Sequence, residues 1–216
     1  RWTRLDSLAG LSTNHLTRLV GDARGRLWVA FGDGRVVRMD QGALTTFDRS
    51  AGLQAGAITD MALDRANVLL GGERGLVQAV RERFFPILGR GGHAFEGISG
   101  IVQLRSGEVW LQDDDGIVRI AAEEMRRVSA EPGHEVAYEI FDAEDGLIGK
   151  ADKVRPLPSL VEGRDDRIWI TTPREVASID TRHLIRNLHT GRPAVVGVTA
   201  DDGRAAGMEV ADQVAG

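Results

Sequence analysis

Apolar residues recur along this chain in short runs separated by Gly, Asp, Asn and Ser clusters, and the runs return in the same order. Residues 25–40, GRLWVAFGDGRVVRMD, show the unit: a glycine turn, a bulky apolar strand, a second glycine turn and an arginine-bearing strand. With Trp28 as an anchor, Gly25 stands three residues before it, Asp22 six, Leu19 nine and Leu16 twelve. Leu70, forty-two residues on, takes the anchor place and has Asn67, Asp64, Met61 and Ile58 at those offsets. Trp110 has Gly107, Leu104, Ile101 and Ile98, and Trp169 has Asp166, Gly163, Leu160 and Leu157. Two apolar columns therefore persist through four units, together with one column of Gly, Asn, Gly and Asp.

The last column has a mechanism. A tight turn between antiparallel strands needs a residue that tolerates positive φ, and these three residue types do so cheaply. The segments around Gly25, Asn67, Gly107 and Asp166 thus predict four hairpins, each leading into a buried strand. Further strands are predicted over VVRMD, ALTTFD, RERFFPI and EEMRRVS, so each unit reads as about four short strands. No stretch between the turns carries apolar residues at helical spacing over ten or more positions, as a helical solenoid would require. A period near 40 residues made of four strands is the signature of a β-propeller blade. The predicted fold is all-β: a partial propeller of about four four-stranded antiparallel blades, near residues 10–50, 52–90, 92–130 and 146–188. The step from Trp110 to Trp169 is longer than the others, and residues 130–156 hold the surplus as a predicted loop insertion.

Composition narrows the picture only a little. The chain has 216 residues, 42% of them hydrophobic, and a formal net charge of −5, which disfavours nucleic acid and anionic membranes as partners. It has no cysteine, which excludes disulfides, thiolate metal sites and thiol catalysis. No apolar run reaches the ~20 residues that span a bilayer. The opening at Arg1 and the ending MEVADQVAG suggest a piece of something longer.

The stretch GLSTNHLTRLVGDARGRLWVAFGDGRVVRMD resembles the two-component regulator propeller repeat. Gly10, Leu11, Asn14, Leu19, Asp22, Gly25, Leu27, Trp28 and Gly34 match its pattern in place. Residues 174–204 are similar to the junction at which such propellers run into the proline-led first strand of the Y_Y_Y immunoglobulin-like domain. The second unit lacks the tryptophan and the fourth lacks the following glycine. The resemblance implies C-terminal blades over residues 1–188, and a linker with the truncated start of the immunoglobulin-like domain over 189–216. It further implies a periplasmic sensor region of an inner-membrane protein whose output is a histidine kinase, a hybrid kinase or a diguanylate cyclase.

Candidate chemistry is sparse. Trp28, Trp110 and Trp169 have faces suited to sugar rings, but their fixed place in the repeat assigns them to packing between blades. GRGGHA, residues 89–94, fits a loose dinucleotide fingerprint but is followed by strand-like residues, and reads as a flexible loop. Asp113, Asp114 and Asp115 lack the spacing of a calcium loop and read as solvated turn residues. The five histidines show no metal-ligand spacing. Glu123–Glu124 and Glu144–Asp145 are sequence neighbours, which strands would point to opposite faces. Neither a catalytic group nor a cofactor is expected.

In a propeller the loops between strands d and a and between b and c ring one mouth of the central channel. Ligand candidates there are Asn14, His15, Asp33, Glu73, Arg74, Asp113 and Asp114, with Lys150 and Lys153 in the insertion. An ordinary solvated role stays open for each of them. The expected ligand is an oligosaccharide or another small anionic or hydroxyl-rich molecule. The alternatives are a propeller enzyme, such as a polysaccharide or lactone lyase, and a protein-docking propeller. Four blades leave two raw edges, so the expected partners are further blades or a second copy, with a dimer as the expected state.

Overall fold

In the computed structural model, residues 15–63, 68–145, 147 and 158–184 are described. Asn14, Lys150, Lys153, the turn residues Asp64 and Asn67, the side chain of Glu144 and the junction segment 189–216 lie outside them.

The described chain forms four antiparallel meanders. The first contains β1 (Leu16–Gly21), β2 (Leu27–Phe31), β3 (Val36–Asp40) and β4 (Ala43–Phe47). The second contains β5 (Ile58–Leu63), β6 (Val68–Gly72), β7 (Gly75–Val80), β8 (Arg83–Gly89) and the short β9 (His93–Ala94). The third contains β10 (Gly100–Gln103), β11 (Val109–Gln112), β12 (Ile117–Ile120) and β13 (Tyr138–Phe141). The fourth contains β14 (Leu160–Glu162), β15 (Arg167–Thr171) and β16 (Val176–Asp180). The first strands of successive sheets lie against one another, which makes them the inner strands of a radial stack. The predicted turn column has its predicted backbone: φ is +78° at Gly25, +90° at Gly107 and +59° at Asp166.

The sheets pack face to face through alternating strand positions. One core joins the first and second sheets through Trp28, Ala30 and Phe47 against Ile58, Met61, Leu70 and Phe84. Another joins the second and third through Leu69, Leu76 and Ile87 against Ile98, Ile101, Leu111 and Val118. A third joins Trp110 and Ile117 to Leu160, Ile168 and Ile170. From the two aliphatic columns, Ile58, Met61, Ile98, Ile101 and Leu160 face back toward the preceding sheet. The indoles face forward.

This polarity corrects the repeat alignment. Leu70 packs backward against the first sheet, whereas Leu69 packs forward. Leu69 is therefore the counterpart of Trp28 and Trp110. The chain linking the paired residues Leu63 and Val68 is one residue shorter than the links Gly21–Leu27, Gln103–Val109 and Glu162–Ile168. A shift of one residue in a strand exchanges its faces.

The third unit departs from the predicted strand order. EEMRRVS does not form a strand: Ala122–Ala130 is an α-helix, α1. Glu123 and Glu124 open its first turn, where the helix dipole favours acids, and they pair with Arg126 and Arg127 one turn on. Met125 and Val128, one turn apart, are buried between the second and third sheets, and Ser129 accepts a hydrogen bond from Gln78 at 2.9 Å. The outer strand of this sheet is β13, drawn from the predicted insertion. GRGGHA is likewise no slack loop. It closes a β8–β9 hairpin with Gly91 and Gly92 at positive φ.

Trp28 and Trp110 are buried, as their packing role requires. Trp169 is 45% exposed on the forward face of the fourth sheet, where no described sheet covers it.

Candidate functional site

The turns between second and third strands and the loops entering each first strand meet at one end of the stack. Gly32 donates to the His15 carbonyl at 2.9 Å, and Glu73 and Arg74 donate to Ala57 and Ala55 at 3.1 and 2.9 Å. The Glu73 carbonyl accepts from Gly97, and Asp114 donates to the Glu96 carbonyl, both at 3.0 Å. A continuous rim thus gathers His15, Asp33, Glu73, Arg74, Asp113 and Asp114, all the described candidates.

Two glycines allow a close approach beside the loop that leads into β5. A side chain on Gly34, where φ is +84°, would stand 2.7 Å from the Gly56 carbonyl oxygen. One on Gly56, at +76°, would stand 3.1 Å from Arg74 Cγ. Beside this junction lies a cleft of about 330 Å³, lined by Asp33, Gly34, Arg35, Asp48, Arg49, Ser50, Leu53 and Gly56. Its size falls at the lower end of small-molecule sites.

Charges alternate around the cleft. Asp33 pairs with Arg35 at 2.8 Å, and the Arg35 guanidinium lies 5.3 Å from the centre of the Phe31 ring. Asp48 caps a single 3-10 turn, Arg49–Ala51, accepting from the Ser50 hydroxyl at 2.6 Å and the Ser50 amide at 2.8 Å. The Ser50 hydroxyl and then its amide hold the Asp48 carboxyl below the usual carboxylate range, so it stays an ionised acceptor. Buried Leu53 supplies an apolar surface. The set can grip a polar ligand with guanidinium donors and carboxylate acceptors. Arg35, Asp48, Arg49 and Ser50 were not singled out from the sequence. Only the fold brings the DRSAG loop of residues 48–52 beside the Asp33 turn.

Asp113 differs from the solvated residue predicted. It is buried, and its Oδ1 accepts from the amides of Asp115 at 2.9 Å and Gly116 at 3.0 Å, while Oδ2 has no hydrogen-bond partner. Burial raises its pKa to about 6 against those two donors, with the Asp115 charge adding and His93 opposing. Within the rim it is the buried member, 2% exposed. Asp114 packs against Gly97, where any side chain would meet its carboxylate. Glu123 and Glu124 are also apart in role. Glu123 is exposed beside Arg126 and Arg127, while the buried Glu124 accepts from the Ala137 amide at 2.8 Å and lies 2.9 Å from His134 Nε2. Among the described residues no group of three or more acidic or histidine side chains is placed to hold a metal.

No protein-family profile and no curated protein matches the chain. Solved structures do. The extracellular domain of the putative one component system BT4673 from B. thetaiotaomicron superposes over 78% of this chain with a TM-score of 0.62 at 13% identity. The computationally designed Ika4 protein superposes over 78% with a TM-score of 0.54 at 12% identity. PorZ, a bacterial surface component of the type-IX secretion system of Porphyromonas gingivalis, superposes over 76% with a TM-score of 0.50 at 15% identity. The fold is that of stacked propeller blades. The chain spans 24% of the BT4673 domain and 25% of PorZ, but 92% of the designed protein. The cleft lies at the rim of this stack between its first two blades, where loops on a rigid scaffold position binding residues.

Proposed function

We propose that the chain is part of an extracytoplasmic ligand-sensing and signal-relaying β-propeller, on the periplasmic side of a membrane-bound two-component sensor, and is not itself catalytic. The repeat motif around Trp28 and the fold likeness to an extracellular domain support this reading. The observation that carries it is the rim cleft. Asp33, Arg35, Asp48 and Arg49 line one cleft of about 330 Å³, with Arg35 ion-paired to Asp33 at its edge. An oligosaccharide or another small anionic, hydroxyl-rich molecule matches such a donor and acceptor set. The output domain would be a histidine kinase, a hybrid kinase or a diguanylate cyclase encoded elsewhere in the parent. The lone tyrosine, Tyr138, stacks on His93 at 5.1 Å on the outermost strand of the third blade, away from the cleft. That placement favours a binding role over lyase chemistry built on Tyr138.

A thermal-shift and calorimetric screen of neutral and acidic oligosaccharides tests the proposal. One ligand class should raise the melting temperature, and R35A and R49A should each weaken its binding about tenfold or more. A ligand that binds equally well to both variants would move the site away from this cleft.

A further inference from the structure

Two buried polar atoms on neighbouring blades have no hydrogen-bond partner: Asp113 Oδ2, in the turn between β11 and β12, and His93 Nε2, on β9. Buried polar atoms are nearly always paired, so two exceptions at one place need a physical reason. Both side chains are fixed in position. Asp113 is held through Oδ1, which accepts from the Asp115 and Gly116 amides. The His93 ring stacks on Tyr138 of β13 and meets the buried Phe95 edge-on, with ring centres 5.2 Å apart.

The two groups share one electrostatic environment. The charges acting on Asp113 are Asp115, from its own turn, and His93, from β9. Asp115 is exposed, and its Oδ2 stands 3.8 Å from His93 Nε2, beyond hydrogen-bond length. Tyr138 is a further titratable group at the His93 ring, and it presents its ring face there. The Asp114 carboxylate lies against Gly97, and Glu96 meets the same turn through its backbone carbonyl. An ionised carboxylate oxygen can only accept a hydrogen bond, and so can an imidazole nitrogen without its proton. One proton supplies the donor that both atoms lack, whichever of them carries it.

We propose that Asp113 and His93 form a proton-operated latch between the rim turn of the third blade and the β8–β9 hairpin of the second, closed by one proton shared between Oδ2 and Nε2. Closing takes that proton from solvent and forms one hydrogen bond, and no covalent bond changes. The Asp113 carboxyl, lifted by burial to about 6, sets the pH range in which the latch works. Two backbone contacts carry it into the rim: the Asp114 amide donates to the Glu96 carbonyl, and the Gly97 amide to the Glu73 carbonyl, each at 3.0 Å. Acidification therefore firms the rim between the second and third blades, and rising pH releases it. The latch is independent of the cleft between the first two blades, and a ligand screen neither supports nor damages it.

Nuclear magnetic resonance on the whole chain, titrated from about pH 8 to about pH 5, provides the test. The Asp113 carboxyl carbon and the His93 ring nitrogens should report the same macroscopic midpoint. The Asp114 and Gly97 amides, corrected for intrinsic exchange, should gain about tenfold protection as the proton is taken up. H93F keeps a ring against Tyr138 and Phe95 but has no nitrogen, and it should abolish that gain. D113N keeps an oxygen for the turn amides but does not titrate there, and it should abolish the gain as well. Midpoints more than about one pH unit apart overturn the proposal, as does a gain in protection that persists in H93F. If H93F loses its native spectrum, the midpoints in the unmodified chain decide alone.

Discussion

Arg18 on the innermost strand of the first blade reaches Asp60 on that of the second, with its Nε 2.8 Å from the carboxylate. Asp60 is buried, and it also accepts from the Met61 amide at 2.9 Å and from the Ile101 amide of the third blade at 2.8 Å. One carboxylate thus touches three consecutive blades near the axis. Burial raises its pKa and outweighs the Arg18 charge and the two amides, which act the other way. Replacing Asp60 with Ala orphans two buried amides and the guanidinium, and should cost about 3–5 kcal/mol in urea unfolding. R18A should cost less, because an unpaired Asp60 can take up a proton. A loss under about 1 kcal/mol for D60A would show that the three contacts do not bind the blades together.

The indoles offer a sharper contrast. Trp110 stacks on Phe141 at 5.6 Å and donates Nε1–H to Glu108 at 2.9 Å, and Trp28 stacks on Phe47 at 5.9 Å and donates to Asp22 at 3.0 Å. W110A and W28A should each destabilise the fold by about 3–5 kcal/mol. W169A should change stability by about 0.5 kcal/mol or less. Equal effects at all three positions would contradict the burial pattern.

Asp113 gives the chain a distinctive pH response. Its folded pKa of about 6 lies above the ordinary 3.8, so the folded state holds the proton more tightly. The associated stability is complete below pH 3.8 and is lost as pH rises through about 6, a change of roughly 3 kcal/mol. D113N carries no such charge. Its stability relative to the parent should improve between pH 4 and 7 in denaturation series. Parallel curves would refute the assignment.

Glu124 ties α1 to the segment before β13. The Ala137 amide and then His134 hold its carboxyl below the usual range, against burial. The stability it contributes is present above 4.5 and is lost as pH falls through the lowered value. E124A should speed hydrogen exchange of the Ala137 amide about tenfold at neutral pH while leaving the Asp22 turn unchanged. Unchanged exchange at Ala137 would show that other contacts hold this segment.

Much of the fold was legible because a repeated blade imposes the same local demands four times. Positive φ at Gly25, Gly107 and Asp166 and the aliphatic column of Met61, Ile101 and Leu160 follow from turn stereochemistry and strand alternation. The helix was missed because Ala122–Ala130 occupies a fourth-strand slot by order. Its signal lay in the acidic first turn and in Met125 and Val128 at helical spacing. Loop position alone put His15, Asp33, Glu73 and Arg74 forward as candidates, and it gave no reason to single out Arg35 or Arg49.

By itself, the sequence determined the four-blade pattern, its turns and the end of the stack that carries the loops, because those depend on local backbone preference and two-residue alternation. Tertiary structure alone decided that Leu69 rather than Leu70 fills the indole position, since one residue fewer between paired strands reverses every face. It also decided which charges meet in the cleft, that Asp113 is buried, and that Trp169 is left uncovered. Each of these depends on the blade standing opposite, and a side chain's environment is set by what packs against it rather than by its neighbours along the chain.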